Sequence, residues 1–210
     1  MDGIPARDAG ADVSGRAVAL DGRPLALPGH THIMLYKPAG VLTAARDRKA
    51  ATVMDLLPPA ALKSGCMPVG RLDRDTTGLL LLTSDGVLGH RLISPKRHVE
   101  KTYLATLESD LPPDAAKRFE EGIALKDFTA LPAALEALGP RMGRVTVLEG
   151  KYHQVKRMFA AIGCPVAALH RERFGPLTLD GSLRPGEYRS LTAEEAALLY
   201  RAAGMEEERE

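Results

Sequence analysis

The densest group of reactive side chains is Arg71-Leu72-Asp73-Arg74-Asp75-Thr76-Thr77, framed by Gly70 and Gly78. Two carboxylates, two guanidinium groups and two hydroxyls stand directly before the apolar run Gly78-Leu-Leu-Leu-Leu-Thr83. Charged groups set against a core strand are costly to desolvate unless they satisfy one another or a ligand. One reading is a network of Asx turns and ion pairs that shapes the loop. The other is chemical: a carboxylate held at the mouth of a buried sheet beside guanidinium groups is a candidate nucleophile or base.

A second cluster, Lys151-Tyr152-His153-Gln154-Val155-Lys156-Arg157, falls at the start of an expected helix. Cations at a helix N-terminus oppose its dipole. They must therefore face solvent or meet an anion, such as a phosphate or the Asp73 carboxylate. His153 has no Ser, Cys or Asp in an order that suggests a hydrolytic triad. Arg91, Lys96, Arg97, His98 and Lys101, followed by Tyr103, make a third group, and His170, Arg171 and Arg173 a fourth. Any one of these reads as a solvated face. Three such runs around one candidate loop point to a groove that tracks phosphates.

These residues need elements to hold them. His32-Ile-Met-Leu-Tyr36 is a short apolar strand, stopped by Lys37-Pro38-Ala39-Gly40. Thr52 and Asp55 frame a short helix through Leu57. The run Gly78–Thr83 is continuous enough for a strand buried on both faces. Ser84-Asp85-Gly86 then caps a helix through Ile93, and Lys101–Leu107 is rich in strand formers. Pro112-Pro113 opens a helix that Gly122 closes, Arg144–Leu148 is a strand, and His153–Ile162 is a helix ended by Gly163 and Pro165. Gly175–Leu179 reads as a strand, and Thr192 with Glu195 caps the last helix. Strands and helices alternate without a βαβ repeat or a GxGxxG loop. The expected class is α+β around a mixed or antiparallel sheet.

Bulk properties narrow the function. The 210 residues carry a net charge of only +1, so nucleic-acid binding must come from local clustering of charge. Hydrophobic residues reach 45%, enough for a core. Cys66 and Cys164 lie far apart, offer no zinc spacing and read as reduced thiols. No apolar run is long enough to span a membrane and the N-terminus has no signal core, so the expectation is a soluble cytoplasmic protein.

Taken together and in order, these segments resemble the pseudouridine synthases, in the branch of the ribosomal small-subunit enzyme A. YKPAG at 36–40, GRLDRDTTGLLLLTSDG at 70–86, KTYLATL at 101–107, EGKYHQVKRMFAAIG at 149–163, HRERFGPLTLD at 170–180 and PGEYRSLT at 185–192 carry the resemblance. It implies the pseudouridine synthase fold and a reaction without cofactor or metal. The N-glycosidic bond of a uridine is cut, the base turns, and it is rejoined through carbon 5. In that scheme Asp73 is the nucleophile, or removes a ribose 2′ proton. Tyr103 packs on the base and helps remove the C5 proton. Lys156, or failing it Arg157, keeps Asp73 ionised and oriented, and Arg71 enters the space left by the flipped nucleotide. Arg74, Arg97, Lys101, His153, Gln154, Arg157, Arg171 and Arg173 are expected to contact RNA.

The implied partner is ribosomal RNA, the 16S species in particular, free or in an assembling small subunit, acted on by a monomer. A large-subunit enzyme of the sister branch and a non-catalytic assembly factor are the alternatives. The resemblance departs at the N-terminus, where residues 1–29 match only the end of an S4-like RNA-binding domain and a linker, with a hairpin expected over VALDGRPLAL. Residues 30–203 are expected to form the catalytic domain and 204–210 an acidic tail.

Overall fold

The computed structural model describes residues 18–20, 23–25 and 29–205. The chain divides into two units between His30 and Thr31. In the first, β1 (Val18–Leu20) and β2 (Arg23–Leu25) pair antiparallel, with Val18 opposite Leu25 and Leu20 opposite Arg23. This pairing matches the expected hairpin, whose Asp21-Gly22 turn lies outside the described residues. The rest of the expected S4-like remnant and the acidic tail from Glu206 also lie outside them.

The second unit is one large sheet with helices on both faces. Its strands are β3 (His32–Lys37), β4 (Met67–Pro68), β5 (Thr77–Thr83), β6 (Lys101–Leu107), β7 (Ala134–Gly139), β8 (Met142–Val147), β9 (Val166–Phe174), β10 (Leu177–Thr178) and β11 (Tyr188–Ser190). The main path runs β11-β3-β5-β9-β6-β8-β7, with β4 added to β5 and β10 to β9. Neighbouring strands on this path are antiparallel except β5 and β9, which run parallel. The helices are α1 (Pro59–Lys63), α2 (Gly86–Ile93), α3 (Ala115–Glu121), α4 (Gln154–Ala161) and α5 (Ala193–Ala202). The α+β expectation is met.

Alternation along β5 shows how the core is divided. Leu80 and Leu82 face a cluster with Phe119 of α3 and Met158 and Phe159 of α4. Leu79 and Leu81 face the other way, onto Leu88 and Leu92 of α2 and Leu199 of α5. A strand covered on both faces has no reason to alternate in polarity, which is why its sequence is a plain leucine run. Local signals hold at the helix ends. The Asp85 carboxylate accepts from Leu88 N at 2.9 Å, and Thr192 Oγ1 accepts from Glu195 N at 3.2 Å. At the expected Thr52 helix the segment is a 3-10 turn over Val53–Leu56, with Asp55 accepting from Thr52 N at 2.7 Å.

The strand reading fails most clearly at β9. Its charged middle, His170-Arg-Glu-Arg173, reads as a surface run, yet it lies between β5 and β6. The strands β7 and β11 likewise go unread. Hydrogen-bonded neighbours on both sides, not side-chain polarity, make β9 a central strand.

Gly78 marks the junction of β5 with β9. Its φ is +106°, and a Cβ there would stand 2.3 Å from Arg171 O and 2.6 Å from Arg171 N. Gly78→Ala therefore forces the two strands apart where they pair, Gly78 against Arg171. The expected loss is about 3 kcal/mol or more in urea unfolding, since both backbone strain and overlap contribute. A loss below about 1 kcal/mol would show that the junction is soft.

Candidate active site

The 73–76 loop is built before it is charged. Thr76 N donates to Asp73 O at 3.2 Å, closing a tight turn, and Gly40 N donates to Arg74 O at 2.7 Å. Beneath it sits Lys37, fully buried on β3, on the same face as Ile33 and Leu35. Its ammonium donates to Pro38 O at 2.9 Å, Thr76 O at 3.0 Å and Arg74 O at 3.3 Å. Burial pushes the Lys37 ammonium down to about 8, against the opposing pull of Asp75 and Asp73. One buried cation thus gathers three carbonyls and props the carboxylate loop from behind. Sequence reading treats Lys37 only as a strand stop. Its place two residues after Leu35, in phase with the buried face, is the signal that could have found it.

Asp73 then projects toward α4. Lys156 Nζ lies 3.2 Å from its Oδ2, and His153 Nε2 lies 3.5 Å from its Oδ1. Lys156 also reaches Asp75 Oδ1 at 2.5 Å, so one ammonium bridges two carboxylates. Partial burial works against the charge of Lys156, but bonds to Asp75 and Asp73 outweigh it and raise its pKa. The same ammonium lowers the Asp75 carboxyl. Asp75 as co-owner of Lys156 is absent from the sequence reading. Arg157, the second candidate for pairing with Asp73, turns away to Asp127 and the ring of Phe128.

The cleft beside Asp73 is lined by Arg71, Thr76, Tyr103, Lys151, His153 and Lys156, with Leu72, Val147, Val155 and Leu169 as its apolar wall. Tyr103 is 8% exposed and reaches the cleft from β6. The structure therefore brings Arg71, Asp73, Tyr103, His153 and Lys156 to one place. Arg74 stays exposed, with Nε on Gly40 O at 3.0 Å. Leu169 is a wall residue that sequence reading passes over, because it sits inside the unread strand β9.

Three of the expected RNA contacts are buried, and two more stand away from the cleft. Arg171 is 2% exposed; its Nε donates to Leu79 O at 2.7 Å and an Nη donates to Tyr103 Oη at 3.4 Å. It braces the tyrosine from within the sheet and cannot reach a phosphate. Lys101 is 8% exposed and donates to Val99 O at 2.7 Å. Gln154 is 4% exposed; its amide oxygen accepts from Lys151 N and its amide nitrogen donates to Glu149, so it builds the turn into α4. A register shift between β6 and β9, where Tyr103 pairs with Arg171 but Thr102 with Arg173, places Arg173 with Thr102, Thr146 and His170 in a groove of about 670 Å³ on the sheet face opposite Tyr103. Arg97 meanwhile stands against Gly204, at the end of α5. The expected ring of basic runs around one loop thus reduces to the α4 turn and Arg71.

Lys101 yields a pH test. Burial first, and the nearby Arg171 second, push its ammonium down to about 8 from an ordinary 10.5. Between those values the unfolded chain holds a proton that the folded chain has released, so stability from this group rises as pH rises through the window. Lys101→Met removes that titration and leaves the others in place. Wild type is expected to gain about 1–2 kcal/mol relative to Lys101→Met between roughly pH 7.5 and 10, by urea unfolding. A difference that stays flat would show that Lys101 keeps its charge in the fold.

Known proteins share this arrangement of segments. A family model described as RNA pseudouridylate synthase matches residues 31–161. The ribosomal small subunit pseudouridine synthase A of Salmonella typhimurium is 52% identical over 186 residues, covering 86% of this chain and 79% of that protein. An uncharacterized RNA pseudouridine synthase of Bacillus subtilis is 42% identical over 206 residues, covering 95% and 86%. A crystal structure of a pseudouridylate synthase superposes with a TM-score of 0.78 at 43% identity, over 82% of this chain and 75% of that one. With family model, relatives and fold in agreement, the chain belongs to the RNA pseudouridylate synthase family and is an isomerase that turns uridine into pseudouridine.

Proposed function

We propose that the enzyme acts on a uridine of 16S ribosomal RNA and that Asp73 begins the reaction. The observation that carries the chemistry is the carboxylate itself, set at the mouth of a cleft between Lys156 and His153 and across from Tyr103. Asp73 either attacks C1′ of the flipped nucleotide or takes its 2′ proton. In both routes the bond from C1′ to N1 breaks and uracil departs with the electron pair. The base turns and C5 bonds to C1′, displacing the Asp73 carboxylate in the first route or with the proton returned to C2′ in the second; N1 gains a proton, and the C5 proton is lost to Tyr103 or to solvent. Lys156 holds Asp73 in line and keeps a positive charge near the developing anion. Arg71, exposed at the cleft rim, fills the stack the nucleotide has left.

The choice of the small subunit follows the relatives named for it, since they share half their residues with this chain over most of its length. The enzyme is proposed to work in the cytoplasm as a monomer, a reading that the completeness of the cleft within one chain is consistent with. Among the described residues no helix is long and apolar enough to cross a membrane.

The test uses the lost C5 proton. A 16S transcript labelled with tritium at uridine C5 should release one tritium per uridine converted, and a 23S transcript none. Release from 23S alone would move the substrate to the large subunit. Release from neither, with full RNA binding, would leave an assembly factor.

A further inference from the structure

The aromatic side chains are few, and most are enclosed. Tyr152 is the most open of them, 74% exposed at the turn into α4 against 37% for Tyr188. Its ring stacks on that of His153, with centroids 3.8 Å apart and planes 17° from parallel. His153 in turn lies 3.5 Å from Asp73 and lines the cleft. The stack depends on unusual backbone, because His153 has φ +48° and ψ +29°, a left-handed conformation that a residue with a Cβ adopts at a cost. Gln154 and Glu149 hold this turn through a buried bond of 2.8 Å, so the conformation is imposed by the fold.

The result is a two-ring ledge whose outer face is open beside the reactive carboxylate. Packing does not explain it, since Tyr152 contributes little to the core. A phosphate contact would engage only the phenol hydroxyl and would leave the stacked ring faces unexplained. A flat π surface of this kind matches an unpaired nucleobase, which stacks on aromatic side chains whatever its identity. Removing the target uridine from its stack also leaves its neighbours in need of new stacking partners.

We propose that Tyr152 and His153 form a stacking subsite for a nucleobase adjacent to the target uridine in the substrate RNA. This rests on the reading that the cleft takes a flipped uridine of 16S RNA. Stacking and charge contacts differ in their response to salt. Phosphate contacts release counterions and set the slope of log affinity against log salt, whereas stacking shifts affinity without changing that slope.

The experiment uses the full chain and a 16S fragment carrying the uridine that wild type converts, located first by tritium release and mapping. Tyr152→Ala is expected to weaken binding about tenfold at every salt concentration, with an unchanged slope. Tyr152→Phe should restore affinity and Tyr152→Leu should not, because a leucine has bulk but no π face. Removing the base on one side of the target, leaving an abasic sugar, should weaken wild type but change Tyr152→Ala by less than about twofold, since each change deletes the same contact. Three results overturn the subsite: a shallower salt slope, full rescue by leucine, or equal losses from abasic substitution in wild type and Tyr152→Ala. If wild type converts no uridine in 16S RNA, the substrate reading fails, and the subsite fails with it for a separate and visible reason.

Discussion

Asp73→Asn is expected to abolish turnover, by roughly 10⁴-fold or more, while folding and RNA affinity stay close to wild type. The asparagine keeps the shape of the side chain, and Lys156 stays anchored by its 2.5 Å bond to Asp75, so the cleft has no cause to collapse. The amide lacks the negative charge needed either to attack C1′ or to take a 2′ proton. Tritium release under single-turnover conditions measures the step, and a filter-binding curve measures affinity. Turnover within about tenfold of wild type would sink the assignment of Asp73. Retained turnover together with lost binding would place Asp73 among the RNA contacts.

The second large effect is expected from Lys156→Met. Here the ammonium that bridges Asp73 and Asp75 is lost, leaving Asp73 without its cation at the cleft and Asp75 without its own on the exposed side. Asp75 loses the bond that lowers its pKa, so its proton affinity rises. The saturated single-turnover rate should fall roughly 100-fold, with RNA affinity changed by a few-fold at most. Asp75→Asn is the companion. It leaves Lys156 to Asp73 alone, and the rate should stay within a few-fold of wild type. If Lys156→Met changed only affinity, Lys156 would be a phosphate contact. If Asp75→Asn proved as damaging as Lys156→Met, Asp75 would be the functional partner of the lysine.

The shared lysine shows why the two carboxylates of the 73–76 loop must be tested apart. They are two residues apart in sequence and compete for one cation. Asp73 has His153 as a second neighbour, whereas the Asp75 side chain is 75% exposed. The geometry therefore separates a carboxylate held at the cleft from one that steadies its partner from outside.

What the sequence alone determined is what depends on local pattern. The leucine run of β5, the Asp85 and Thr192 caps, the strand at Lys101–Leu107 and the order of the motifs around Asp73 are all legible along the chain, because each rests on neighbours within a few residues. The meeting of Asp73 with Lys156 is legible only through the resemblance, since 83 residues separate them. Tertiary structure alone decided the fate of the cations. Arg171, Lys101 and Lys37 carry the same charge as Arg71 and Lys156, and only Lys37, in phase with Leu35, has a local sign that separates it from the exposed ones. Arg171 is buried because β9 lies between β5 and β6, Lys101 because β6 has β8 and β9 on its flanks, and Lys37 because the carboxylate loop folds over it. Each then donates to backbone carbonyls or a phenol rather than to RNA. Whether a cation meets a carbonyl or a phosphate depends on which strands are paired beside it, and that pairing is non-local: β5 reaches across about 90 residues to find β9.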